Sequence, residues 1–252
     1  MRSTRSSRRR LLATGVATLA GFTGCLSGTP SDSPPSETDT SSESVSVASL
    51  SVADFIVYPF AGDHPRVHRA ADTQYVVVGI DTDRDAGTVR KRLALELDGE
   101  RVELASRQPA QWRTEAVEVA FAVSKAWTIE GGRLLFSDSR PTDLLAETVG
   151  RLNSPPVFEV SELSVRPAEI SADEQTEATV TFGLANTGTG AGTFGASLKG
   201  NYLSGAATET VTLDTGSETE AEVSTPIVGG GEEVTVRFDW GADDWVGRIP
   251  VV

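Results

Sequence analysis

Cysteine, methionine, histidine and lysine are all scarce in this chain, and each shortage removes a class of function. The 252 residues hold one Cys, one Met and two His. A single cysteine excludes a disulfide framework and a Cys-rich zinc site. Blue copper needs two His with a Cys and commonly a Met. Here these are Cys25 and Met1, both in the opening segment, so that option closes. His64 and His68 leave little material for acid–base work. They lie four apart, but Pro65 between them argues for a loop rather than a metal-binding helix face. Bases are also short: 22 Lys and Arg against 36 Asp and Glu, net −14. A nucleic acid needs a basic face, so none is expected as a partner. No G-x-S-x-G elbow is present. The chain is read as non-catalytic, with no cofactor and no resident metal. Its length allows one or two domains, each with its own core.

What is present begins with an address. Residues 1–25 carry Arg2, Arg5, Arg8, Arg9 and Arg10 and no acid, followed by a weakly apolar run from Leu11 to Phe22. That run is too short for a bilayer span, which takes about 20 residues. A basic start, a short apolar stretch and small residues before a cut make an export signal. Ser7-Arg8-Arg9-Arg10-Leu11-Leu12 resembles a twin-arginine signal, with Arg8 and Arg9 as its pair. Phe22-Thr23-Gly24-Cys25 resembles a lipobox, with Phe22 where Leu is usual. The resemblance implies a lipid on Cys25, anchorage to the membrane and a place on the outer face of the cell.

Residues 26–44 contain ten Ser or Thr, three Pro and four acids among 19 residues. Such a stretch cannot bury enough surface to offset ordering, so a disordered tether is expected. Removing 1–25 leaves 36 acids against 17 bases, and only three of these are lysines, Lys91, Lys125 and Lys199. Many carboxylates and few lysines resemble haloarchaeal proteins, whose acidic surfaces keep them dispersed in high salt.

Beyond Ser44 the dominant period is two, which reads as all-β. Tyr75–Ile80 is a β-branched run suited to a central strand. Val89–Leu104 reads as a hairpin turning at Asp98-Gly99, with Leu95 facing Val102, Leu93 facing Leu104 and Glu96 meeting Arg101. A second hairpin is expected over Gly131-Gly132 between Trp127 and Phe136, and one short helix from Thr142 to Arg151. Asn153-Ser154-Pro155-Pro156 marks a boundary. After it, strands are expected at 158–165, 178–185, 194–198, 208–213, 221–227 and 234–240. The segments echo each other: Val47–Val52 and Val160–Val165 share V-x-x-L-S-V, and Ala71-Asp72-Thr73-Gln74 resembles Ala172-Asp173-Glu174-Gln175. The expectation is two tandem immunoglobulin-like β-sandwiches, 45–156 and 157–252, after the signal and tether.

Glu162-Leu163-Ser164-Val165, the strand 178–185 and Asn186-Thr187-Gly188 resemble the CARDB type of cell-surface immunoglobulin-like domain. The resemblance covers the last 95 residues or so and implies an extracellular, adhesive or structural role. Gly190–Gly195 fits G-x-G-x-x-G, but a strand-like sequence follows where a dinucleotide site needs a helix. Asp81–Asp85 and Asp243-Asp244 read as solvated turns rather than Ca²⁺ loops. Trp127 and Trp240 sit in strand patterns; Trp245, beside two acids, is the candidate for surface contact.

The expected function is adhesion, envelope structure or protein binding at the cell surface, with a surface protein or glycan as partner. The alternative is an accessory solute-binding lipoprotein for a sugar or ion. Charge is unevenly divided: residues 45–156 carry 16 acids and 13 bases, residues 157–252 carry 16 acids and four bases. The arginine-bearing first part, with Arg90-Lys91-Arg92, is therefore the expected place for an acidic partner. Replacing Cys25 with Ser should release the protein from membranes into the medium, read by fractionation and immunoblot. Undiminished retention would rule out the lipid anchor.

Overall fold

The computed structural model describes residues 45–60, 64–111, 115–137, 140–201 and 206–252. The expected signal, its Arg8 and Arg9, the lipidation site Cys25, the tether and Trp112 lie outside the described residues.

The first half is built from β1 (Ser46–Ala53), β2 (Ile56–Phe60), β3 (His64–His68), β4 (Thr73–Asp81), α1 (Ala86–Arg92), β5 (Leu93–Leu97), β6 (Glu100–Val102), β7 (Val117–Ser124), β8 (Gly132–Phe136), β9 (Thr142–Asp143) and α2 (Ala146–Leu152). The β-branched run in β4 lies at the centre of an antiparallel β1-β4-β7 sheet, as its apolarity predicts. Val76 and Val78 are fully buried there. A second sheet, β6-β5-β8-β9, packs its Leu95, Leu97 and Leu134 into the same core. β2 and β3 form a separate hairpin.

The second half contains β10 (Phe158–Arg166), β11 (Gln175–Asn186), β12 (Gly192–Lys199), β13 (Ala207–Leu213), β14 (Glu218–Val228), β15 (Glu233–Asp239) and β16 (Asp244–Pro250). The sheets β10-β11-β14 and β13-β12-β15-β16 share one core around Phe182, Phe194 and Phe238. Those rings sit 4.8–5.8 Å apart in tilted pairs. Alternation in β15 works as read, with Val234, Val236 and Phe238 buried while Thr235 and Arg237 face out. β16 is a strand the sequence reading missed.

Three expectations need correction. Val89–Arg92 is helical, because Asp85 caps α1 by accepting from Thr88 N at 3.0 Å. The Asp98-Gly99 hairpin is present, with Leu95 opposite Val102, but it ends there. Leu93 pairs with Phe136 instead and Leu104 with Phe121; Glu96 does lie opposite Arg101, and on the other side of β5 it forms an ion pair with Arg133 at 2.7 Å. The Gly131-Gly132 hairpin does not form. Gly131 and Glu130 N–H groups donate to the Asp98 carboxylate, and β8 then pairs with β5. The helix expected within 142–151 begins at Ala146, after the short β9.

The two halves meet along a seam where backbone lies on backbone. A Cβ at Gly190 would sit 1.9 Å from Ser154 O, and one at Gly188 2.3 Å from Val157 N. Buried Asn186 fixes this loop. Its amide donates to Gly190 O, Leu213 O and Asp214 O, and its Oδ1 accepts from Val157 N and Gly188 N. Across the seam Arg151 donates to Ala191 O at 2.6 Å and Lys125 to Pro156 O at 3.1 Å. The G-x-G-x-x-G run therefore serves close packing and leads into strand β12. Gly190→Ala should lower stability by about 1–3 kcal/mol in chemical denaturation, because rigid backbone cannot yield. Gly131→Ala, with open space around its Cβ position, is the matched control and should be near neutral.

Candidate binding face

α1 owes its place to one buried anchor, Val89, and to the Asp85 cap. Thr88 Oγ1 also donates to Asp85 at 2.6 Å, and these bonds hold the Asp85 carboxyl below its ordinary range. The last turn carries Arg90, Lys91 and Arg92, a favourable end of the helix for cations. The structure distributes the three differently. Lys91 and Arg92 are exposed, and Arg92 has a partner of its own. Arg90 is partly buried, and its Nε is fully covered without a hydrogen-bond partner.

Arg90 borders a cavity of about 410 Å³ that the hairpin's early end creates. After Val102 the chain leaves β5 and pairs with β7: Ala122 N donates to Glu103 O at 3.0 Å and Ala105 N to Ala120 O at 2.9 Å. The departing strand opens a notch between itself and Leu93-Ala94, walled by Arg90, Arg101 and Leu104. A second notch of about 440 Å³ lies on its other flank, where Ser124 and Trp127 form the wall. Leu104 is 40% exposed between them. The sequence places Arg101 and Leu104 only as hairpin partners of Glu96 and Leu93, because their part in this face depends on a strand changing sheets.

Trp245 does not join this face. It is half-buried on the second core, its ring 2.6 Å from where a Gly247 Cβ would stand. Trp127 and Trp240 also pack on cores, each just outside a strand. His64 and His68 begin and end β3. Among the described residues no group of three or more His, Cys, Asp or Glu is arranged around a common point.

The seam holds a buried charge cluster that composition alone did not reveal. Arg69 is 7% exposed, its guanidinium 4.7 Å from the Phe194 ring centre, 5.4 Å from Phe158 and 5.8 Å from Phe55. Its Nη1 reaches Trp240 O at 3.4 Å. Burial pulls Arg69 down to about 10, against the raising influence of Asp54 and Tyr75. Burial also raises Asp54, opposed by Lys125, Arg69 and Arg151, and lowers Lys125, opposed chiefly by Asp54. Asp54 thus offsets part of the desolvation of Arg69 and Lys125, which repel one another, and Arg69 adds cation–π contact.

His68 packs between Tyr58 and Tyr75, ring centres 6.2 and 6.0 Å away. Burial first, and then Arg107, hold its imidazole below the ordinary 6.5. The unfolded chain therefore takes up this proton first as pH falls. Stability tied to neutral His68 should be complete above pH 6.5 and be lost as pH drops through the depressed value. Urea melts across that window should show a shallower slope for His68→Gln; an unchanged slope would contradict the assignment.

No family model matches the chain, and no curated protein does. Among solved structures it resembles parts of a β-glucosidase from Erythrobacter marinus, at 19% identity and TM-score 0.32, covering 46% of this chain and 18% of that one. A β-glucosidase from Listeria innocua gives 17% identity and TM-score 0.29 over 39% of this chain and 16% of that one. A type I pullulanase from Bacillus subtilis gives 14% identity and TM-score 0.18 over 77% of this chain and 24% of that one. The chain spans less than a quarter of the length of each, and at these scores the likenesses assign it neither fold family nor chemistry.

Proposed function

We propose that this chain is a lipid-anchored surface protein, exported through a twin-arginine signal and held at Cys25. In this reading it carries two immunoglobulin-like modules, the second of CARDB type, and binds an acidic partner without catalysing a reaction. The modular reading draws support from matched local structure. The two V-x-x-L-S-V segments lie in β1 and β10; β1 pairs with β4, past the β2–β3 hairpin, and β10 with β11, each with one break in register. Both breaks adjoin a Ser opposite a Gly, Ser49 with Gly79 and Ser161 with Gly183. The two Ala-Asp pairs each lie in a four-residue turn, closed by Thr73 N to Ala70 O and Glu174 N to Ser171 O, both at 3.2 Å, with Asp173 left-handed and Asp72 not.

The observation that carries the binding reading is the coincidence of charge and shape on the first half. It is nearly neutral where the second half carries a net −12, and its basic helix end borders an open cavity. An acidic partner meets less repulsion there than anywhere on the second half. The test is capture of surface proteins by the full chain displayed on vesicles. The triple variant Arg90→Gln, Lys91→Gln, Arg92→Gln should capture its acidic partner at least about tenfold less, as expected for lost charge-assisted contacts. Equal capture would overturn the reading. A rise in melting temperature with a sugar or ion alone would favour solute binding instead.

A further inference from the structure

We propose that the paired notches beside residues 101–104 form a two-well peptide site: Arg90 and Arg101 hold a carboxylate, and Leu104 and Trp127 hold an apolar side chain two residues away. The proposal rests on the first half being the binding face and adds the ligand's chemistry. The first well has two guanidinium groups against one carboxylate, Glu103. Arg90 and Arg101 both line this well, and Arg90 is held there by partial burial, its Nε covered by protein. Guanidinium matches carboxylate geometry better than it matches a diffuse acidic field. That matters in strong salt, where the Debye length at 1 M is about 3 Å and only pairs in contact survive.

The second well is lined by Ala122, Ser124 and Trp127, with exposed Leu104 shared between the two. Residues 101–104 line both wells, so the wells adjoin the same short stretch of chain, about 10 Å long when extended. Side chains on one face of an extended peptide recur at about 6.8 Å, within that span. A flexible acidic strand therefore places a carboxylate in the first well and an apolar group in the second at once. A uronic acid chain supplies the carboxylate but no apolar group at that interval, which favours peptide over glycan.

The test uses the full chain and blocked peptides repeating Asp-Ser-Leu-Ser, with Asp-Ser-Ser-Ser, Lys-Ser-Leu-Ser and trigalacturonate as comparisons. Binding is read by calorimetry and by tryptophan fluorescence, at low salt and at molar salt. The Asp-Ser-Leu-Ser peptide should bind tightest in both. Arg90→Gln and Arg101→Gln should each weaken it about tenfold. Leu104→Ser should weaken that peptide but leave the Asp-Ser-Ser-Ser peptide unchanged. Arg101 and Leu104 are exposed and Arg90 is partly buried, and matching thermal melts will show that the variants remain folded. Equal binding of the two acidic peptides, indifference to the arginine changes, or tighter binding of trigalacturonate would each overturn the proposal. If these fail while vesicle capture still depends on Arg90, Lys91 and Arg92, the basic face stands and the two-well site does not.

Discussion

Most of the described structure is organised around the contact between the Asn186–Gly195 loop and the Ser154–Val157 segment. Here two backbones approach to distances that only glycine permits, and the buried polar groups so created must all find partners. Asn186 solves much of that problem with one side chain, bridging the loop, the end of β13 and the start of β10. The cost of opening the seam is therefore several hydrogen bonds together with the packing of Phe158 and Phe194 on Arg69. α2 is tied into the same region from the first half: Gln74 donates to Leu152 O at 2.7 Å, and Asn153 bonds both N and O of Ile129.

The seam also carries charge, which a purely apolar joint would not. Arg69, Lys125 and Arg151 outnumber Asp54 there, yet each cation either donates to a carbonyl or lies against aromatic rings. Removing one member of such a cluster exposes the others to an uncompensated low-dielectric setting, so its members act as a unit. The directions of titration agree with this: burial pushes Arg69 and Lys125 down and Asp54 up, attraction between Asp54 and the cations resists, and Arg69 presses Lys125 further down.

The binding face arises from a different device. A strand that pairs first with β5 and then with β7 cannot fill both ladders along its whole length, and the unfilled ends become notches. The expected pairing of Leu93 with Leu104 would have closed the first one. Alternating apolar residues are equally content in either ladder, so pattern alone favoured the simpler, longer hairpin. α1 also helps decide the outcome, because the helix ends at Leu93, whose N–H turns back to Val89 O.

Much was determined by the sequence itself. Period-two patterning sets the β character, the β-branched run sets the central strand, and Asp98-Gly99 sets a turn, all through local sterics and burial. Charge counting also divides the chain into a nearly neutral first part and an acidic second part. The roles of Arg69, Arg101 and the glycine run were decided only by tertiary structure. A guanidinium between rings from distant segments, a strand shared by two sheets, and a loop pressed onto a linker are relations between residues far apart in the chain. No local propensity encodes them, because their free energy exists only once segments distant in the chain have come together.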